Sequence, residues 1–160
     1  MITKLPLLRR ALVLLAVGTI AVGTSACQPA PAPAPSGSGG GSSQAAQLIS
    51  LVNGYRAAHG LPGLAEAGDG TAKAQQHAND MAAQRRMFHS SSLTSGIQND
   101  WTALGENVGV GGSITQLESM FEASAPHRAN LLNGAYTQIG VGLATGTDGQ
   151  LYVTEFFIGR

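Results

Sequence analysis

Ser124-Ala125-Pro126-His127-Arg128-Ala129-Asn130-Leu131-Leu132 is the stretch on which the reading of this chain turns. A histidine follows a proline at the end of an amphipathic run, among residues that turn or cap a backbone. Two shorter phrases precede it, Met87-Phe88-His89 and Gly105-Glu106-Asn107-Val108. His89 follows one expected helix end, His127 lies at another, and Glu106 stands at the entrance of an expected strand. Three such positions can converge on one cleft. Two imidazoles and a carboxylate are the composition of a divalent-metal site or an acid–base site.

Outward from these phrases, residues 43–59 are expected to be helical. Leu48, Leu51, Val52 and Tyr55 recur at helical spacing, and Gly60 with Pro62 stops the run. Asp69 can cap a second helix reaching about residue 87, with Ala74, Ala78, Met81, Ala82 and Arg85 along one stripe. Its alanines imply close packing against a neighbouring layer. Residues 90–100 read as loop, 101–104 as one helical turn and 106–110 as a short strand. A third helix over 113–125 buries Ile114, Leu117, Phe121 and Ser124. The end reads as a hairpin, 139–144 and 151–158, around Thr147-Asp148-Gly149. Leading helices and trailing paired strands give an α+β domain with a small antiparallel sheet.

The beginning of the chain reads as an address. Lys4, Arg9 and Arg10 form a positive region, and an apolar run of about a dozen residues follows, shorter than the ~20 a spanning helix needs. Residues 1–27 are thus a signal segment closing on Thr24-Ser25-Ala26-Cys27. Cys27 is the only cysteine, so no intrachain disulfide can form. Its setting resembles a bacterial lipobox, in which the thiol is lipidated, although Thr24 stands where that pattern has Leu. The competing reading is an ordinary cleaved signal. Residues 28–43 alternate Pro with Ala and then turn to Ser and Gly, the composition of a tether extending ~3 Å per residue in its Pro half. The remainder, 44–160, is one domain. It holds all nine acidic residues against six scattered basic ones, which excludes a nucleic-acid footprint.

Further phrases stand in a fixed order with the first three: Asn53-Gly54-Tyr55-Arg56, Leu64, His77-Ala78-Asn79-Asp80-Met81 and Gly140-Val141-Gly142. Over nearly all of 44–160 the chain resembles the CAP superfamily (cysteine-rich secretory, antigen-5 and pathogenesis-related proteins) in its compact bacterial form. The resemblance implies a three-layer α-β-α sandwich and a cleft lined by two histidines and two acids. His89, Glu106 and His127 match three of those positions. The fourth, an acid three residues past an aromatic in the last helix, falls at Ser124 counting from Phe121, so it is missing here. Glu122 is the nearest substitute.

The chemistry of the trio stays open at this point. His89 and His127 could hold Zn²⁺, which wants about three protein ligands in a catalytic site, with Glu106 either ligating directly or orienting a ligating imidazole. Without metal, Glu106 could hydrogen-bond both imidazoles as a structural network. As a hydrolase, Glu106 would be the general base and His127 its catalytic companion. Asn107 is expected to satisfy backbone groups in a turn, and Arg128 and Asn130 to cap and pin the loop around His127. His59 is expected at the negative terminus of its helix, and His77 as a half-buried packing residue. Glu118 and Glu122, four apart, read as a solvated helix flank. Gly109, Gly111 and Gly112 have the wrong spacing for a nucleotide loop. No Gly-x-Ser-x-Gly elbow supports the serines as nucleophiles.

Two functions follow. The first is a non-enzymatic, monomeric binding module at the cell envelope, anchored through lipidated Cys27 and holding an unknown lipid, peptide or envelope component. The second is a metal-assisted, envelope-directed hydrolase. If Cys27 carries no lipid, the protein is secreted.

Overall fold

The computed structural model describes residues 39–160, with side chains from Ser43 onward. The signal segment, Cys27 and most of the expected tether lie outside the described residues. Within them the order is α1 (Gly39–Ala58), β1 (Ala65–Glu66), α2 (Gly68–Gln84), β2 (Ala103–Gly111), α3 (Ile114–Ala123), α4 (Ala125–Leu131), β3 (Gln138–Thr145) and β4 (Leu151–Gly159). The strands form one sheet in the order β1-β3-β4-β2. β4 pairs antiparallel with β2 and β3, and the two-residue β1 adds to β3 in parallel. The sheet is therefore antiparallel except at that edge.

Strand alternation sends side chains to two faces. Val153 and Phe157 of β4, with Ile139, Val141 and Leu143 of β3, pack against Leu48 and Val52 of α1, Leu117 and Phe121 of α3 and Leu131 of α4. On the other face Phe156 and Ile158 meet Ala74 of α2, while Tyr152 and Val108 meet Met81 and Ala82. This is the expected α-β-α sandwich. The alanine stripe lies where it was read, except that Arg85 is exposed at a left-handed C-cap. Close packing there depends on two glycines. A Cβ on Gly140 would collide with the backbone of Gly70, and one on Gly142 with the backbone of Ala74.

Local readings failed where tertiary partners decide the outcome. Ala103 and Leu104 extend β2, because the last residues of β4, Gly159 and Ile158, offer them a ladder; no helical turn forms at 101–104. Glu106 consequently lies inside the strand, not at its entrance. Asp69 is no cap: Ala67 occupies the N-cap position without a side-chain bond, and Asp69 sits two residues on, within the first turn. Its carboxylate accepts from Gly70 and Gln98 backbone N–H groups and pairs with Arg160. α1 begins at Gly39, inside the stretch read as tether. The phrase around His127 is a short helix of its own, α4, with Ser124 ending α3 and capping the start of α4.

Arg56 is fully buried. Its guanidinium donates to the carbonyls of Pro62, Leu131, Asn133 and Tyr136, tying α1 to the segment after α4. Burial holds its pKa below the usual arginine value, and four carbonyl dipoles replace the water it has lost.

Candidate functional site

β2 is an edge strand, and the candidate residues gather along it. Glu106, buried on the α2 face, accepts a 2.8 Å hydrogen bond from His89 Nδ1 at Oε1. The same oxygen accepts from the Ser90 backbone N–H at 2.9 Å, and Oε2 accepts a short hydrogen bond from the Ser90 hydroxyl. His77 stands on α2 with Nε2 4.0 Å from Glu106 Oε2 and 2.8 Å from the Phe88 carbonyl, and its ring meets Phe88 edge-on. His77 is thus buried and engaged rather than half-buried packing. One carboxylate fixes the start of the loop that carries His89.

With Nδ1 donating to Glu106, the His89 imidazole presents Nε2 as an acceptor. Its side chain is 62% exposed. It lies on the wall of a cavity of about 550 Å³ between α2 and the loop, lined also by Lys73, Gln76, Asp80, Ser91 and Ser95. Lys73 bridges the loop carbonyls of Ser92 and Ser95 at 2.7 and 2.8 Å, so the outer wall is pinned to α2.

His127 approaches from the other side of the edge. Its Nδ1 lies 2.9 Å from the Ser124 hydroxyl, and its ring packs 4.9 Å from that of Phe121. Burial and the neighbouring His89 hold its pKa below the usual histidine value. Ser124 is half-buried at the junction of α3 and α4, not inside the stripe of α3. Asn107 is buried in mid-strand on the three-helix face, not in a turn. Its amide donates to the His127 carbonyl at 3.3 Å and to Glu155 at 3.0 Å, and its carbonyl accepts from Asn130 at 2.9 Å. Asn130 also donates to the Glu106 backbone carbonyl, covering an acceptor on the open edge. Arg128 donates to the carbonyls of Glu122 and Ala123, the capping role expected of it. His59 meets the Tyr55 carbonyl at its helix end, also as expected.

The structure thus joins His89 to Glu106 and turns His127 toward Ser124. Among the described residues no three His, Cys, Asp or Glu side chains are placed to hold a metal ion. Both oxygens of Glu106 already accept hydrogen bonds, and each candidate imidazole engages Nδ1 and keeps Nε2, so the trio offers two ring nitrogens rather than three protein ligands. A zinc site with about three protein ligands does not fit this arrangement. Nor do the serines form a triad. Ser90 bonds the carboxylate directly rather than an imidazole, and the Ser124–His127 pair has no acid orienting it among the described residues.

The sequence reading missed a second acidic site. Glu118 is buried, not solvated, and Glu155 of β4 is fully buried beneath it. Burial pushes the Glu118 carboxyl up to about 7, with Glu155 beside it acting to lower it and Glu122 to raise it. Burial, followed by the charge of Glu118, pushes Glu155 well above the usual range. The signal was present: 114, 117, 118 and 121 are the positions i, i+3, i+4 and i+7 of one buried stripe.

The sequence profile of the CAP, cysteine-rich secretory protein family matches residues 49–158. Among solved structures, an extracellular SCP-domain protein of Bacillus anthracis is 27% identical over 75% of this chain and 41% of its own, with a TM-score of 0.65. An outer surface protein of Borrelia burgdorferi shares the fold at 17% identity, over 74% of this chain and 93% of its own, with a TM-score of 0.65. A cysteine-rich secretory protein of Staphylococcus aureus does so at 20% identity, over 78% and 40%, with a TM-score of 0.64. The chain spans less than half of the Bacillus and Staphylococcus proteins. No protein with a curated description matches it.

Proposed function

Because the chain belongs to the cysteine-rich secretory protein family, we propose that it is a non-enzymatic binding module working outside the cell. The observation that carries this reading is the engaged carboxylate. Both oxygens of Glu106 already accept from His89 and Ser90, so it shapes the cavity wall and is poorly placed to act as a general base. The cavity offers hydrogen-bonding groups, His89, the loop serines, Gln76, Asp80 and Lys73, beside the apolar Ala72 and Phe88. Such a wall recognises a peptide or a hydroxyl-rich envelope component better than an acyl chain, which would strand those polar groups without water.

The leader and tether support an address at the envelope. Cys27 behind a signal segment, with a Pro/Ala and Gly/Ser stretch after it, suits a lipidated anchor that lets the domain reach nearby material. The relatives described as extracellular or as an outer surface protein agree with export.

The test uses the full chain and soluble envelope fragments, with binding followed by calorimetry and products by mass spectrometry. We expect saturable binding, weakened tenfold or more in Asp80→Ala and His89→Ala, with the fragments recovered intact. Fragment cleavage that disappears in Glu106→Gln would replace this reading with a hydrolase. For the anchor, Cys27→Ser should move the protein from the membrane fraction into the medium; an unchanged distribution would remove the lipid.

A further inference from the structure

Glu118 and Glu155 meet in the interior between α3 and β4, where two carboxylates have no evident reason to be. Glu118 is 2% exposed and Glu155 0%. Both oxygens of Glu118 and one of Glu155 lack a partner donor, and the remaining oxygen of Glu155 accepts from Asn107 at 3.0 Å. Among the described residues no lysine, arginine or histidine forms an ion pair with either. The charged groups on the elements packed around them are otherwise engaged or of the wrong sign. Arg56 of α1 is taken up by carbonyls, Arg128 of α4 by the end of α3, and His127 of α4 by Ser124. Glu122, on α3 itself, adds a repulsion.

Glu118 and Glu155 act on each other's titration, and two full negative charges at about 4 Å repel by about 4 kcal/mol even at an effective dielectric of 20. Each would also bear the desolvation of an unpaired buried ion. A proton between them removes the repulsion and one of the two buried charges, because a protonated carboxyl donates to the oxygen its neighbour presents. We propose that Glu118 and Glu155 form a proton-binding site that clasps α3 onto β4 and opens when the pair is fully deprotonated. The ligand is the proton, drawn from bulk water and returned to it.

The clasp is wired to the rest of the edge. Glu155 holds the Asn107 amide, which holds the His127 carbonyl, while the Asn107 carbonyl receives Asn130. Loss of the last proton thus loosens α3 and reaches α4 through side chains already in contact. The inference is independent of what the cavity binds.

The sign follows from proton linkage. Between the unfolded glutamate pKa, about 4.3, and neutrality, the native pair keeps protons that the unfolded chain has released. Stability is fully present below that window, falls as pH rises through about 7, where Glu118 titrates, and falls further as Glu155, also held above the usual range, gives up the last proton. His127, whose native pKa is lowered, works in the opposite sense below neutrality, so a comparison with variants is needed to isolate the pair.

Thermal unfolding of the full chain at about pH 5.5, 7 and 8.5 tests this, beside Glu118→Gln and Glu155→Gln. The wild-type Tm should fall by about 5 °C or more across the range, and each variant should lose most of that slope. Parallel curves for wild type and variants would overturn the proposal. Infrared spectroscopy of the wild type gives a second test should a variant fail to fold. A protonated-carboxyl band shielded from bulk water should be present at neutral pH and shrink as pH rises further; its absence at neutral pH overturns the proposal equally.

Discussion

On the α2 face of the sheet, Glu106 sits within reach of three donors, from the Ser90 backbone, the Ser90 hydroxyl and the His89 ring. On the other face, one step along the same ladder, Glu155 stands opposite Asn107 and has that single amide and a second carboxyl for company. The two acids share a sheet and are equally hidden from water. What separates them is the supply of donors. A loop folds back over the α2 side and brings its N–H and O–H groups to Glu106. The helices on the other side bring apolar side chains and Glu118. Burial alone therefore says nothing about a carboxyl's role: one organises a binding wall, and the other stores a proton.

The comparison breaks most severely if the α2 layer is pushed off. Gly142→Val places a side chain where the Ala74 backbone lies and should cost about 3 kcal/mol or more in chemical denaturation, taking the Glu106 site with it. Glu106→Ala is next. It strands the Ser90 donors, and we expect a loss of about 2–3 kcal/mol, with amide exchange accelerating over 88–96 while β3 and β4 stay protected. Glu118→Leu should behave in the reverse way, gaining about 1–2 kcal/mol near pH 8.5, where the acid pair is most strained, and little near pH 5. A loss at both pH values would mean that the pair stabilises the fold as an ordinary polar contact. The smallest effect belongs to His89→Ala. Its largely exposed ring should contribute no more than about 1 kcal/mol to stability, so weakened ligand binding in this variant reports recognition rather than unfolding.

Much of this layout was legible in the sequence. Helix-period stripes in α1, α2 and α3 and the Thr147-Asp148-Gly149 turn have local causes, so pattern reading found them. α4 and β1 escaped because seven and two residues are too few to show a period; both exist through what they pack on. The start of β2 escaped for the same reason, since only pairing with Gly159 and Ile158 makes it a strand. At the site, His89 and Glu106 were found and do meet, whereas His127 was found and turns to Ser124. Glu118 was misjudged because charge was weighed above position: its place on the buried stripe of α3 was visible. Glu155, in the run Tyr152–Ile158, is a charge inside an apolar strand, and that anomaly was equally readable.

Calorimetric titration of Zn²⁺ into the full chain at neutral pH, beside a His89→Ala/His127→Ala double variant, tests the central claim most directly. If the Glu106 cluster is the hydrogen-bonded wall of a binding cavity, neither protein shows one-to-one micromolar binding, and the variant is only slightly less stable. Micromolar one-to-one binding by the wild type, absent from the variant, would contradict the account and make the trio a metal centre.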